Sequence, residues 1–444
     1  MNDTRSRRKF IVIIILNRKL LKYREEIAME QSLMEQRLLD KVFARIDSYR
    51  DDVIRIQKEL TAIPALSPDS GGTGEWKKAL KAKELMDEIG YDSFEEYNTP
   101  CAAVPEGTRP NHVYRMKGKD ESRTVWIMSH LDIVPPGERS LWYTNPYEIK
   151  VDGDKIYGRG VEDNQQGIVS SMLMFKAIRE ENITPSCNLA ILLISDEETG
   201  SVDGIQYVLK AKPDLFSPND LIYVPDSGVE DGSRIEVAEK SILWTKFTTK
   251  GVQTHASRPQ GGINAFKAAA NLIVRLQVLY EIFAKSNSLF EPSISTFEPT
   301  KKEPNVPNIN SIPGEDVFYV DSRVIPEYDL KEIISKMREI ADGVELDYNV
   351  KIEMDYAQKE QAAPQTDPDS QTVIAISKAI KEIYKVDAKP MGIGGGTVAA
   401  YIRRHNIPAV VWAKFNDTAH QANENCNISN VLGDTKVFTH IALQ

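Results

Sequence analysis

The sequence predicts an α/β protein built on a mainly parallel central sheet, with a smaller α+β unit inserted into it. Three observations lead there. Short, continuous apolar runs alternate with helical periodicity, the pattern of strands covered on both faces by helices. Between Ser241 and about Tyr356 the order changes to β-α-β-β-α-β, the ferredoxin-like plan. Finally, 444 residues are more than one ordinary core holds.

The elements follow in order. From about Glu35, LLDKVFARIDSYRDDVIRIQKELTAI places apolar residues three and four apart, as a helix requires. The loop SPDSGGTG follows, then a helix in EWKKALKAKELMDEIGY, stopped at Gly90. Four apolar runs read as buried strands: TVWIM before His130, NLAILLIS before Asp196, DLIYV before Asp226, and IPAVVWA before a loop that leads to His420. Helical stretches such as GIVSSMLMFKAIREE lie between them. In the inserted unit, ILWTKFTTKG is a strand and AFKAAANLIVRLQVLYEIF a helix. SISTFEP and DVFYVDSRV are strands, DLKEIISKMREIAD is a helix and VKIEMDY the last strand. The loop AQKEQAAPQTDPDS then returns to the helix TVIAISKAIKEIY. The expected division is residues 31–238 with 358–444 as the larger domain and 239–357 as the insertion.

Composition narrows the function. A net charge of -10 argues against a nucleic-acid binder. Three cysteines, Cys101, Cys187 and Cys426, form no CxxC pair, which fits a reducing, cytoplasmic setting. Near the N-terminus the apolar run Phe10 to Leu16 is far short of the ~20 residues a membrane span needs. It has no small-residue cleavage site. Residues 1–30 are read as an extension, disordered or from a mis-called start, with a weak membrane-surface anchor as the runner-up.

Chemistry gathers at the strand ends. Ligands of open α/β sheets bind beyond the carboxyl ends of the strands. Each apolar run delivers an acid or a histidine there: His130 and Asp132, then Asp196, Glu197 and Glu198, then Asp226, then His420. Asp163 joins them from the glycine-punctuated loop YGRGVEDNQQG. So many anionic groups at one edge would repel one another, and a bound cation removes that penalty. Histidine and carboxylate donors without thiolates suit zinc, with cobalt or manganese as substitutes. His130, Asp163, Glu198, Asp226 and His420 are too many for one open site. Two metals bridged by Asp163 would use all five, the clamp that hydrolysis favours. Asp132 could then accept the free N–H of His130, and Glu197 could shuttle a proton from water to a leaving nitrogen. His112, His405 and His440 have no such company.

SHLDIVPPG, YGRGVEDNQQG, SDEETGS, VPDSG and AHQANE resemble the ordered metal motifs of the M20 family of zinc metallopeptidases. The family includes acetylornithine deacetylases, succinyl-diaminopimelate desuccinylases, aminoacylases, carboxypeptidase G2-like enzymes and dipeptidases. The resemblance runs from about Glu35 to the C-terminus. It implies a zinc-peptidase-like catalytic domain, with His130 and Asp226 on one zinc, Glu198 and His420 on the other, and Asp163 bridging. It implies Glu197 as general acid/base, Asp132 as the group orienting His130, and a cis bond after Asp163.

GVQTHASRPQGGINA resembles the family's lid and dimerisation domain, which implies a homodimer and an oxyanion role for His255. By the same resemblance Asn310 and Arg323 would grip a substrate carboxylate, and Gly395, Gly396 and Thr397 would offer it backbone N–H groups. Desuccinylase-type members continue that glycine loop as Thr-Ser-Asp, whereas here it reads Thr397-Val398-Ala399, a departure toward the peptidase-like members. The expected activity is hydrolysis of an amide bond in a small, carboxylate-bearing molecule, by an N-acyl amino acid deacylase or desuccinylase, or by a dipeptidase or carboxypeptidase. No nucleic-acid or membrane partner is expected. A non-catalytic ligand-binding module on the same fold is the alternative.

Overall fold

The computed structural model describes Met29 and residues 33–444. The reading of residues 1–30 therefore lies, Met29 apart, outside the described residues. The larger layer is an eight-stranded sheet. Its strands are β1 (Ser93–Glu96), β2 (His112–Met116), β3 (Asp120–His130), β4 (Cys187–Ile194), β5 (Leu221–Gly228), β6 (Arg234–Glu239), β11 (Lys389–Ile393) and β12 (Ala409–Ala413). Their spatial order is β1-β2-β4-β3-β5-β12-β6-β11. The neighbours β4, β3, β5 and β12 run parallel. These are the four strands legible as apolar runs.

Their continuous apolar character has a direct cause. Successive side chains point to opposite faces, and both faces are covered. Val125 and Ile127 of β3 pack into one buried cluster with Met172 and Phe175 of the helix Gln165–Glu180 and Phe438 of the helix Ile428–Leu443. Trp126 and Met128 pack into another with Ile205 and Val208 of the helix Ile205–Ala211 and Ile402 of the helix Ala399–Arg403. In these four strands no charged side chain lies in the middle of the run. Chemistry is confined to the strand ends.

The second layer is a four-stranded antiparallel sheet of β7 (Ser241–Lys250), β8 (Thr296–Lys302), β9 (Glu315–Val324) and β10 (Lys351–Glu360), in the order β8-β9-β7-β10. Two helices, Ala265–Leu276 and Leu330–Tyr348, cover it. Asn264 and Asp329 cap them by accepting the N–H groups of Lys267 and Lys331. Leu272, Leu276, Ile333 and Met337 pack in one cluster with Phe247 and Phe318, which stack at 5.0 Å. This is the ferredoxin-like order read from the sequence. Only Lys240 separates β6 from β7, so the sheets join at a very short crossover.

Some element readings are corrected. The last strand of the second sheet continues to Glu360, past the loop expected from Ala357. The strand expected at SISTFEP starts at Thr296 and runs on to Lys302. β1, β2, β6 and β11 were not legible as strands. Their sequences mix charged and apolar residues, and in β6 the acids are buried, as shown below.

Candidate metal centre

The ends of the parallel strands bring the expected residues together. β3 ends at His130, β5 carries Asp226, and a short 3-10 turn after β4 presents Glu197 and Glu198. His130 Nε2 lies 2.9 Å from Asp163 Oδ1 and 3.1 Å from Asp226 Oδ1. His420 Nε2 lies 3.1 Å from Asp163 Oδ2 and 3.1 Å from Glu198 Oε2. The two groups, His130/Asp163/Asp226 and Asp163/Glu198/His420, each hold three potential donor atoms within 4.8 Å of one another. Asp163 belongs to both and turns a different oxygen to each.

These spacings fit cations. Donors ~2.0–2.2 Å from a tetrahedral zinc lie about 3.3 Å apart. Two carboxylates converging on one imidazole nitrogen, as at His130, also need a positive charge between them, a proton or a metal ion. Burial works against charge on His130, but Asp226 foremost, with Asp132 and Asp163, outweighs it and holds the imidazole pKa well above its ordinary range. Hydrogen bonding to Asp163 and Glu198 pushes His420 up to about 10. Asp163 is driven the other way: burial favours its neutral form, but the two imidazoles win and keep it below the usual carboxylate range. Glu198 is raised, chiefly by burial, with His420 opposing.

Glu197 is different. It touches neither imidazole, and its side chain accepts no hydrogen bond among the described residues. Burial, followed by the charge of Asp226, pushes its carboxyl well above the ordinary range. A carboxyl shifted upward beside a cation site is suited to general acid/base work.

The loops that carry the ligands are held by buried acids that the sequence reading did not single out. Glu424 accepts N–H groups from Gly160, Glu162 and Asp163, each at 3.0 Å, and pairs with Arg159 at 2.6 Å. Glu162 accepts the N–H groups of Asn416 and Thr418. That grip holds the loop in which His420 sits at a left-handed φ of 62°. Each ligand loop is thus fixed by a carboxylate from the other. Both acids are fully buried. The available signal was adjacency, since Glu162 precedes Asp163 and Glu424 follows His420 by four residues. Glu424→Gln should cost about 3–5 kcal/mol, because it leaves Arg159 without its buried partner. Denaturant titration would measure the loss.

Asp132 sits behind His130, but its carboxylate mainly accepts the N–H groups of Glu197 and Glu198, at 3.1 and 3.0 Å. The Nδ1 of His130 is 3.0 Å from the backbone oxygen of Asp132 and 3.5 Å from its carboxylate. Asp132 therefore positions the Glu197–Glu198 turn as much as the imidazole. The Asp163–Asn164 peptide is cis, and the Asn164 side chain donates to Asp226 Oδ1 at 2.7 Å.

The inserted unit's candidates lie apart from this cluster. His255 and Asn310 meet on a two-stranded ribbon, where His255 pairs with Ser311 and the Ala256 N–H donates to the Asn310 carbonyl at 2.8 Å. Both are exposed, and neither has a hydrogen bond to the cluster among the described residues. The Arg323 guanidinium is engaged by Asp321, at 2.8 and 3.1 Å, and by the Gly394 carbonyl at 2.8 Å. Thr397 donates its hydroxyl to Glu239 at 2.7 Å, and Glu239 pairs with buried Arg403 at 2.7 Å. Burial, then the charge of Glu239, pushes nearby Glu236 well above the ordinary carboxylate range, with Arg403 opposing. Gly396 and Thr397 share a cavity wall with Glu197. No helix among the described residues is long and apolar enough to cross a membrane.

Fold and site together define a metal-dependent hydrolase acting on amide bonds. Residues 126–444 match the profile of peptidase family M20/M25/M40. An uncharacterized metallohydrolase of Methanocaldococcus jannaschii is 40% identical over 88% of this chain and 98% of its own length. A succinyl-diaminopimelate desuccinylase of Nautilia profundicola is 25% identical over 88% of this chain and 98% of its own. Human carnosine dipeptidase 1 superposes with a TM-score of 0.70 at 17% identity, covering 91% of this chain and 98% of that one. The chain belongs to the M20/M25/M40 peptidase family.

Proposed function

We propose that the protein is a binuclear-zinc hydrolase cleaving an amide bond in a small molecule with a free carboxylate. The substrate would be an N-acyl amino acid, N-succinyl compounds included, or a dipeptide. One observation carries the reading: two three-donor clusters share Asp163 oxygen by oxygen, with the raised carboxyl of Glu197 beside them. The desuccinylase relative and the dipeptidase neighbour support the substrate range.

His130 and Asp226 would hold one ion, Glu198 and His420 the other, and Asp163 both, with cobalt or manganese able to replace zinc. Ions held there would polarise the scissile carbonyl and make the attacking water more acidic. Glu197 takes the proton of that water and delivers it to the leaving nitrogen. Asp132 holds the turn that aims Glu197 and Glu198. Gly395, Gly396 and Thr397 offer backbone N–H groups to the carboxylate, and Asn310 and Arg323 of the inserted unit grip it. His255 donates to the developing oxyanion, and its distance from the cluster is bridged by a homodimer formed through the inserted unit.

The imidazole charges give a direct test. With no cation bound at pH 7, the facing carboxylates hold both imidazoles above their ordinary range, His420 up to about 10, and a cation competes with protons there. Loading zinc at that pH should release about two protons per chain, read by calorimetry in buffers of different ionisation enthalpy. Release of none would sink the ligand assignment. The linkage sign follows. In chelated protein the His420 pair stabilises fully below 6.5, and that contribution is lost as pH rises through about 10.

A further inference from the structure

We infer that an apolar cavity at Trp244, on the open face of the second sheet, receives an aromatic side chain of the amino acid that the enzyme releases. This rests on the hydrolase reading above and narrows its substrate class to N-acyl amino acids and dipeptides whose leaving residue is aromatic. Successive residues of a strand face opposite ways. Leu243 and Phe247 of β7 point into the cluster covered by the two helices. Trp244 therefore points out of the uncovered face, where it is 39% exposed. A cavity of about 340 Å³ lies there, with Trp244, Tyr319, Val320 and Ala357 in its wall. An apolar space of roughly 150 Å³ already takes a benzene ring.

Two relations join this cavity to the reaction. Ile242 and Gln358 line the cavity that holds Glu197. Ile242 is two residues before Trp244 on β7, roughly 6.5 Å along the strand, and Gln358 is the register partner of Trp244 on β10. The Arg323 guanidinium, one of the proposed carboxylate grips, lies 5.8 Å from the Trp244 ring. A carboxylate held by Arg323 thus brings the side chain on the same α-carbon to the indole. The polar groups of the wall are largely engaged. Asp321 accepts from Arg323 at 2.8 and 3.1 Å, Lys301 lies over the Tyr319 ring at 4.7 Å, and the Tyr319 hydroxyl donates to Glu303 at 2.5 Å. What remains for a ligand is mainly aromatic and aliphatic surface, which suits an aromatic ring.

The experiment compares the wild type with Trp244→Ala, Trp244→Phe and Ala357→Leu. The substrates are N-acetylphenylalanine and alanylphenylalanine beside N-acetylalanine and alanylalanine. The wild type should favour the phenylalanine member of a pair about tenfold in kcat/KM, the low end of what burying one Phe side chain gives. Trp244→Ala should lose most of that preference and keep its rate on the alanine substrates, its metal and its Tm, since the side chain is half-exposed. Trp244→Phe should keep most of the preference. Ala357→Leu fills the cavity from its rim and should lower kcat/KM for the phenylalanine substrates alone. No preference in the wild type, or a preference that survives Trp244→Ala, would overturn the proposal. An equal loss on both kinds of substrate, with a change in the mass of the assembly, would overturn it and assign this face to a subunit contact. If the zinc-loaded wild type hydrolyses nothing, calorimetry with free phenylalanine and alanine separates the two readings. Phenylalanine bound about tenfold more tightly than alanine, with the difference lost in Trp244→Ala, would leave the cavity standing and the hydrolase reading fallen. Equal or absent binding of the two amino acids in that protein would overturn the cavity.

Discussion

Glu197→Ala is expected to lower kcat by roughly 10²–10⁴-fold, the contribution of a positioned acid/base, while the protein keeps its metal. The argument is geometric. Among the described residues Glu197 makes no hydrogen bond or ion pair with either imidazole, whereas its neighbour Glu198 lies 3.1 Å from His420. Two adjacent acids on one turn thus point to different tasks. The turn itself survives the substitution, because Asp132 holds it through backbone N–H groups. KM should change little. Metal analysis beside steady-state kinetics checks both parts. Loss of metal in Glu197→Ala would show that the roles of Glu197 and Glu198 are exchanged.

Asp163→Asn is expected to have the larger effect on metal. Oδ1 faces His130 at 2.9 Å and Oδ2 faces His420 at 3.1 Å. An amide offers only one oxygen and no charge, so both clusters are weakened at once. Removing a group behind a ligand already costs roughly 10–100-fold in affinity, and loss of a shared donor should exceed that. Dialysed Asp163→Asn should hold less than half the metal of the wild type and show no measurable turnover. The circular dichroism spectrum should persist, because Glu424 grips this loop through backbone N–H groups rather than through the Asp163 side chain. Full metal retention would remove Asp163 from the bridging role.

The parts of the fold legible in the sequence are those where burial is two-sided. The centres of TVWIM and NLAILLIS, Val125 to Met128 and Leu189 to Ile194, are wholly apolar or aromatic because helices cover both faces of β3 and β4. The ionisable residues that follow each run then lie at the edge, which is why His130 and the Glu197–Glu198 pair could be found without coordinates. β6 escaped because RIEVAE looks like an exposed, alternating strand. Glu236 and Glu239 are in fact buried against Arg403, more than 160 residues further along the chain. A charge neutralised from that distance leaves no local pattern. The same holds for Glu162 and Glu424, which read as solvated loop acids until their backbone partners are known.

The most direct test of the account is the metal content of purified protein, measured together with hydrolysis of N-acetyl amino acids, N-succinyl amino acids and dipeptides. The account predicts about two zinc or cobalt ions per chain, as a two-metal clamp requires, with turnover of at least one substrate class. One ion or none, with no turnover after zinc, cobalt or manganese is added, would contradict it and point to a ligand-binding module on the same fold.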